Sequence, residues 1–170
     1  LRNRGNSFAP QELIMPGILE IRDYDALLRS FSWDMLWTLF DGDRERMNIA
    51  HECIDRHRAR GTAISVKFES GAAEHYTFAE LADQTSQFAH WLARRGIRKS
   101  DRVAIIVDPS RAFYVGMFGA MKAGAIAVPF EYVDAPPEIR YGLADSGARW
   151  LIVHEEKLAD LAAVDLAQTP

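Results

Sequence analysis

The sequence predicts an α/β fold: a parallel-sheet βαβ subdomain with helices on both faces, preceded by an N-terminal arm, helices and a β-hairpin. Three short apolar runs, 102–107, 125–130 and 149–153, have the length and composition of buried strands. A helical pattern separates each run from the next, which favours right-handed parallel crossovers. Because these strands are apolar on both sides, we expect cover on both faces of the sheet.

Length and composition set limits on function. The 170 residues fit one domain or part of a larger one, and 48% hydrophobic with 26% charged residues is ordinary globular composition. A net charge of −4 argues against a nucleic-acid partner, and no apolar run is long enough to span a membrane. The single cysteine, Cys53, can form no internal disulfide, so we expect a cytoplasmic protein.

Residues 1–45 are predicted to form an N-terminal arm and an amphipathic helix. Residues 1–30 contain proline and glycine without a sustained period, which indicates an extended arm. A helix over 32–40 is predicted from an apolar stripe with spacing i, i+3, i+4, i+7: Trp33, Leu36, Trp37 and Phe40. We expect this stripe to pack on its own domain; the alternative is a docking surface for a partner or a membrane.

Residues 46–170 are predicted to form the α/β subdomain itself. Asn48 is expected to cap a helix over 49–60, and strands at 62–68 and 74–76 to form a hairpin. The phrase Thr77-Phe-Ala-Glu80 is a capping box, in which each side chain bonds the backbone amide of the other residue. The helix that it opens is expected to end at Gly96.

The second half alternates helix and strand. Ser110 is expected to cap a helix that runs to Lys122 and is ended by Gly124. Gly116 and Gly119 are interpreted as allowing this helix to approach the sheet closely. Further helices are predicted to begin at Pro136 and to span 155–163.

Candidate ligand sites find little support in the sequence. Neither a dinucleotide-binding glycine fingerprint nor a phosphate-binding P-loop is present. His51, Cys53 and His57 lie on one predicted helix, but a zinc site needs a second pair of ligands, and none is found. We therefore expect Cys53 to be a buried, inert packing residue.

The sequence also contains one basic cluster and three scattered acids. The basic cluster near the predicted helix end is expected to be a solvated capping cluster, with an anion site, such as one for a CoA phosphate, as the alternative. The acids Glu131, Asp134 and Asp145 suggest no catalytic pair. The basic cluster consists of Arg94, Arg95, Arg98, Lys99 and Arg102.

Two phrases resemble core motifs of the adenylate-forming superfamily. Residues 76–81 resemble its first motif and residues 121–129 its second. Residues 101–105 resemble the family's strand after the first helix, although Ser100 stands where glycine is common; we expect that exchange to tighten the turn. Residues 48–57 resemble a segment of acyl-CoA synthetases. The motif residues, for which we expect structural roles, are Tyr76, Thr77, Glu80, Leu81, Lys122, Ala123, Gly124 and Pro129.

The resemblance implies the N-terminal fragment of an AMP-dependent acyl-CoA synthetase. Such an enzyme joins a carboxylate to the AMP portion of ATP, with Mg²⁺, and then transfers the acyl group to coenzyme A. The residues that the family uses for ATP, Mg²⁺ and coenzyme A are expected beyond this chain, so it should contain no catalytic, cofactor-binding or metal-binding residue and be inactive alone. Alternatives are an acyl-AMP ligase, a peptide-synthetase adenylation domain, or a non-catalytic interaction module.

The resemblance also predicts partners. The parent enzyme is expected to use a small-molecule carboxylate, and the chain to pack against the remainder of its own enzyme. Leu1 in place of methionine suits an excised fragment. An uncovered sheet edge is expected to make such a fragment self-associate.

Overall fold

The computed structural model describes residues 18–162 and 164. The chain divides into two compact units, one ending at Arg44 and the other beginning at Glu45. Across the part of the chain that is described, no helix has the length and apolar character needed to cross a membrane.

The first unit contains two short helices. These are α1 (Tyr24–Ser30) and α2 (Trp33–Leu36), the latter continued by one 3-10 turn, Trp37–Leu39. The extended-arm prediction is wrong for α1, because the Asp23 carboxylate accepts a hydrogen bond from the Ala26 amide at 2.6 Å and caps a helix there. Residues 1–17 of the predicted arm lie outside the described residues.

The predicted tryptophan helix is only one α-helical turn long. Trp33 is 72% exposed, and its ring meets Phe31 edge to face at 5.4 Å. Neither α1 nor α2 contains a buried residue.

The second unit is an α/β subdomain. A short helix and a hairpin precede the parallel sheet, and 3-10 turns lie at Asp55–His57 and Glu155–Lys157. Its elements are α3 (Ile49–Cys53), β1 (Thr62–Lys67), β2 (Ala73–Thr77), α4 (Phe78–Arg94), β3 (Arg102–Ile106), α5 (Arg111–Lys122), β4 (Ile126–Pro129), α6 (Pro136–Ser146), β5 (Trp150–Val153) and α7 (Leu158–Ala162).

The sheet has the strand order β4-β3-β5, and both strand pairs are parallel. Alternate residues of the central strand β3 lie in different cores. Val103 and Ile105 pack with residues of α4 and α5, whereas Ala104 and Ile106 pack with residues of α6 and α7. The predicted fold, a parallel sheet with helices on both faces, is therefore confirmed.

The helix predicted over 49–60 is shorter than expected. It ends at Cys53, because Ile54 leaves the helical region with φ −126° and ψ −61°. Ile54 is 2% exposed and belongs to a core cluster with Leu81 and Ala82. Burial of the Ile54 side chain favours this non-helical backbone, although the local sequence pattern predicts that the helix continues.

Two details of α5 also differ from prediction. Ser110 occupies the N-cap position, but its hydroxyl makes no capping bond. A Cβ added at Gly116 would lie 3.4 Å from Ile152 in the sheet, as expected, but one at Gly119 would lie 2.7 Å from Phe88 on α4. Gly119 therefore permits close helix–helix contact instead of helix–sheet contact.

Candidate functional site

The first motif forms the beginning of α4. The Thr77 hydroxyl accepts a hydrogen bond from the Glu80 amide at 3.2 Å, and the Thr77 amide donates to Glu80 Oε2 at 2.8 Å. The predicted capping box is present. Hydrogen bonds from the Thr77 amide and hydroxyl lower the pKa of Glu80, and the positive charge of Arg111 acts in the same direction.

Two other residues of the first motif tie α4 to its surroundings. Leu81 is fully buried in a core cluster. The guanidinium of Arg111, at the start of α5, lies 5.3 Å from the centre of the Tyr76 ring. This cation–π contact links the start of α5 to the end of β2.

Lys122 of the second motif is a buried connection between elements. Its side chain is 9% exposed, and Nζ lies 2.5 Å from Asp55 Oδ1. It also donates to the Ala82 carbonyl at 3.1 Å and to Ser86 Oγ at 3.0 Å. An ammonium group has three donors, so these partners account for all of them. Lys122 thus holds the end of α5 against α4 and the turn after α3.

Gly124 of the second motif is hydrogen-bonded to Ser100, which lies in a turn before β3. Gly124 has φ +80°, and its carbonyl accepts a hydrogen bond from the Ser100 amide at 2.9 Å. Ser100 itself has φ +72°, in the left-handed region. Glycine would adopt this conformation without steric cost, whereas the Cβ of serine makes it unfavourable. Ala123 ends α5, its amide donating to the Gly119 carbonyl.

Pro129 is the last residue of β4 and is paired in register with Ile105. Strand β4 lies at one side of the three-stranded sheet. Proline has no amide proton and cannot donate a hydrogen bond to a neighbouring strand. It therefore destabilises a sheet least when it lies in an outer strand. The next residue, Phe130, resumes the ladder by donating to the Ile105 carbonyl at 2.9 Å.

The two motifs meet across the α4–α5 contact. Lys122 bonds the carbonyl of Ala82, one residue beyond the first motif. A cleft of about 440 Å³ opens over this contact. Its lining includes His51, Asp55, Ser86, His90 and Lys122.

The fold does not gather His51, Cys53 and His57 into a ligand set. Within residues 18–162 no group of three or more His, Cys, Asp or Glu side chains is arranged so that it could hold a metal ion. His57 instead packs against the ring of Phe78 at 5.6 Å. Cys53 is exposed, so the expectation of a buried cysteine is wrong: Ala50 and Ile54 form the buried side of this segment.

The basic cluster is exposed, and its arginines have separate roles. The Arg95 guanidinium stacks 3.5 Å from the centre of the Trp91 ring. Arg102 Nε donates to the Gly147 carbonyl at 3.3 Å, beyond the end of α6. Arg102 therefore interacts with the C-terminal end of α6, a contact that the sequence did not indicate.

A group of polar residues lies at the carboxyl ends of β4 and β5. The Tyr132 hydroxyl donates to Glu156 at 3.1 Å, and the Tyr132 ring packs edge to face on His154 at 6.0 Å. Lys157 Nζ lies 5.2 Å from the ring centre of Tyr132 and 2.9 Å from Asp160. Of the three scattered acids, Asp134 approaches this group: its carbonyl accepts from Lys157 at 3.4 Å.

The Tyr132 group was not foreseen from the sequence. Ligands in open parallel sheets bind beyond the carboxyl ends of the strands. The ends of the predicted strands 125–130 and 149–153 could therefore have indicated where polar residues come together. Burial raises the pKa of Tyr132, and the hydrogen bond to the Glu156 carboxylate raises it further. The hydrogen bond from Tyr132 to Glu156 therefore connects the chain segments that follow β4 and β5.

Comparisons with known proteins identify the family. The family model described as "AMP-binding enzyme" matches residues 53–169. The chain is similar to surfactin synthase subunit 2 of Bacillus subtilis (strain 168), with 43% identity over 83 residues, 48% of the chain and 2% of that protein. It is also similar to acetyl-coenzyme A synthetase of Pseudoalteromonas translucida (strain TAC 125), with 32% identity over 114 residues, 65% of the chain and 18% of that protein.

A solved structure shows the same similarity. The Brucella canis acyl-CoA synthetase aligns with 84% of the chain at a TM-score of 0.79 and 25% identity, covering 27% of that protein. The chain thus spans about a quarter or less of the length of these relatives. With the family model matching well over half of the sequence, the chain belongs to the family of AMP-binding enzymes.

Proposed function

We propose that this chain is the N-terminal part of an AMP-forming acyl-CoA synthetase. The parent enzyme converts a carboxylate and ATP to an acyl-AMP and pyrophosphate, and then transfers the acyl group to the thiol of coenzyme A. The observation that carries this proposal is the alignment of 84% of the chain with the Brucella canis acyl-CoA synthetase at a TM-score of 0.79.

Within that enzyme the chain serves as scaffold. The motif side chains with polar groups already have internal partners: Thr77 and Glu80 bond each other, and Lys122 bonds three groups. Because these side chains are engaged in hydrogen bonds inside the fold, we assign no chemical step to them, and we expect the isolated chain to be inactive.

The remainder of the enzyme is the proposed partner of the sheet. Strands β4 and β5 are each paired on one side only among the strands described, and a strand with free amides and carbonyls favours pairing or cover. We propose that later parts of the enzyme cover these edges and supply the binding residues for ATP, coenzyme A and a small-molecule carboxylate. The unpaired Cys53 supports a reducing compartment, for which we propose the cytoplasm.

A second candidate is an adenylate-forming enzyme with a different acyl acceptor, such as an acyl-AMP ligase or an adenylation domain. This candidate is supported by the 43% identity to surfactin synthase subunit 2 over 83 residues. Both candidates form the acyl-AMP, so the acceptor separates them. Release of acyl-CoA supports the first candidate, and an acyl-AMP that coenzyme A does not discharge supports the second.

The test compares two proteins: the 170-residue chain, and the product of the complete reading frame that encodes it. Each is assayed for exchange of labelled pyrophosphate into ATP with a panel of aliphatic and aromatic carboxylic acids. We expect acid-dependent exchange from the complete product and none from the chain. Exchange by the chain itself would refute the scaffold role, and absence of exchange with any acid would count against the activity.

A further inference from the structure

Helix α1 carries an exposed apolar stripe. Tyr24 and Leu28 lie four residues apart on one face of α1, and Phe31 follows as the C-cap residue, where the backbone is extended. They are 73%, 64% and 39% exposed, and Trp33, whose ring contacts Phe31, is 72% exposed. Single exposed apolar residues are ordinary, whereas neighbouring exposed apolar residues form the kind of patch through which proteins associate.

Charged residues of both signs border this stripe. Asp25 and Arg29 are exposed and lie four residues apart, on the same side of the stripe. No ion pair found within the described part of the chain involves either of them. The border is thus acidic near the start of α1 and basic near its end.

This arrangement is complementary to itself, and we propose that α1 pairs with α1 of a second copy of the chain. In an antiparallel pair related by a two-fold axis at the level of Leu27, residue 25 of each copy lies level with residue 29 of the other. Asp25 then faces Arg29 of the second copy, and this contact occurs twice. A two-fold interface requires such a surface, in which each contact is repeated by symmetry.

The apolar residues interleave in the same register. The two copies of Leu28 lie next to each other at the centre, and Tyr24 of each copy lies toward one end of the contact. Because the contact uses both charge signs, it fits a second copy better than an anionic membrane surface, which attracts only the basic side chain.

The first test is the association of the full 170-residue chain, measured by sedimentation equilibrium across a concentration series. We expect a monomer–dimer equilibrium. Leu28→Asp should raise the dimer dissociation constant about tenfold or more, since it places two charges at the centre of the interface. The matched control is Val133→Asp, at an 85% exposed position in the other unit, which should leave the dissociation constant unchanged.

The second test uses charge reversal and separates this interface from the sheet edge. Asp25→Arg places arginine opposite arginine in the pair, and Arg29→Asp places aspartate opposite aspartate. Each variant alone should dimerise more weakly than the wild type. An equimolar mixture of the two restores both opposite-charge contacts, so native mass spectrometry should show the heterodimer in excess over either homodimer.

Three outcomes would overturn the proposal. One is a chain that stays monomeric up to about millimolar concentration, the upper range of specific weak association. Another is a dimer that Leu28→Asp and Val133→Asp weaken equally. The third is a mixture without heterodimer excess while circular dichroism shows both variants folded.

Discussion

At Ser100 the backbone lies in a conformation that disfavours side chains. Its φ of +72° is in the left-handed region, where the Cβ atom approaches the following carbonyl oxygen. The expected tightening of this turn by serine is therefore accompanied by a steric cost. The hydrogen bond from the Ser100 amide to the Gly124 carbonyl holds the backbone in this conformation.

We predict that Ser100→Gly stabilises the chain. Relief of the steric cost, less the greater flexibility of glycine in the unfolded state, should raise the free energy of unfolding by about 1 kcal/mol. Urea denaturation followed by circular dichroism measures this free energy. Ser100→Ala is the control, because it keeps the Cβ atom and should not raise the free energy of unfolding. Equal stabilisation by both variants would show that the backbone is not the cause.

Lys122 is the second residue whose role can be tested alone. Lys122→Met keeps the aliphatic stem but removes the three hydrogen bonds to Asp55, Ala82 and Ser86. Because these bonds involve a buried charged donor, we expect a loss of about 2 kcal/mol in the free energy of unfolding. Lys99→Met, at an exposed lysine, is the matched control and should change stability little. A result in which the two variants behave alike would contradict the connecting role.

At the scale of the elements, the capping box makes the stability of α4 dependent on pH. The folded pKa of Glu80 is lowered, so its charged form stabilises the folded state. This contribution is complete above the ordinary pKa of glutamate and is lost as the pH falls through the lower, folded pKa. We predict that the wild type is more stable than Glu80→Gln at neutral pH and that the difference disappears in acid. Denaturation of both proteins from pH 7 to pH 3 measures it; a difference independent of pH would contradict the assignment.

Two glycines of α5 allow a comparison between its contact with α4 and its contact with the sheet. Gly119→Ala would place a methyl group 2.7 Å from the Phe88 ring, so we expect a loss of about 2 kcal/mol from overpacking. Gly116→Ala meets Ile152 at an ordinary contact distance and also favours the helix, so it should be neutral or stabilising by up to about 1 kcal/mol. Thermal denaturation of both variants measures the contrast. A larger loss for Gly116→Ala would refute this account of helix packing.

Prediction from sequence succeeded where local and long-range signals agree. The capping box, the hairpin and the three strands each have a clear local pattern, and the structure contains all of them. It failed where one buried side chain decides the backbone, because Ile54 ends α3 early. It also failed for Cys53, which lies opposite the side of the segment that Ala50 and Ile54 bury. Helix α1 was missed because nearby glycine and proline outweighed the capping signal of Asp23.

At the scale of the whole molecule, the structural roles of the motifs follow from their contacts. The sequence already indicated that Thr77 and Glu80 cap a helix and that Gly124 ends one. It gave no means of finding the partners of Lys122, which lie 36 to 67 residues away in sequence. The Tyr132 group was equally inaccessible, because its members come together only once the register of β3 with β4 and β5 is known.

The central claim is that the chain is the scaffold of an acyl-CoA-forming enzyme. The most direct measurement incubates the complete reading-frame product with a carboxylic acid panel, ATP, Mg²⁺ and coenzyme A, and quantifies nucleotides and thioesters by mass spectrometry. We predict AMP and acyl-CoA in equal amounts for at least one acid, and neither product from the 170-residue chain. Formation of ADP instead of AMP, or of acyl-AMP that coenzyme A never discharges, would contradict the claim.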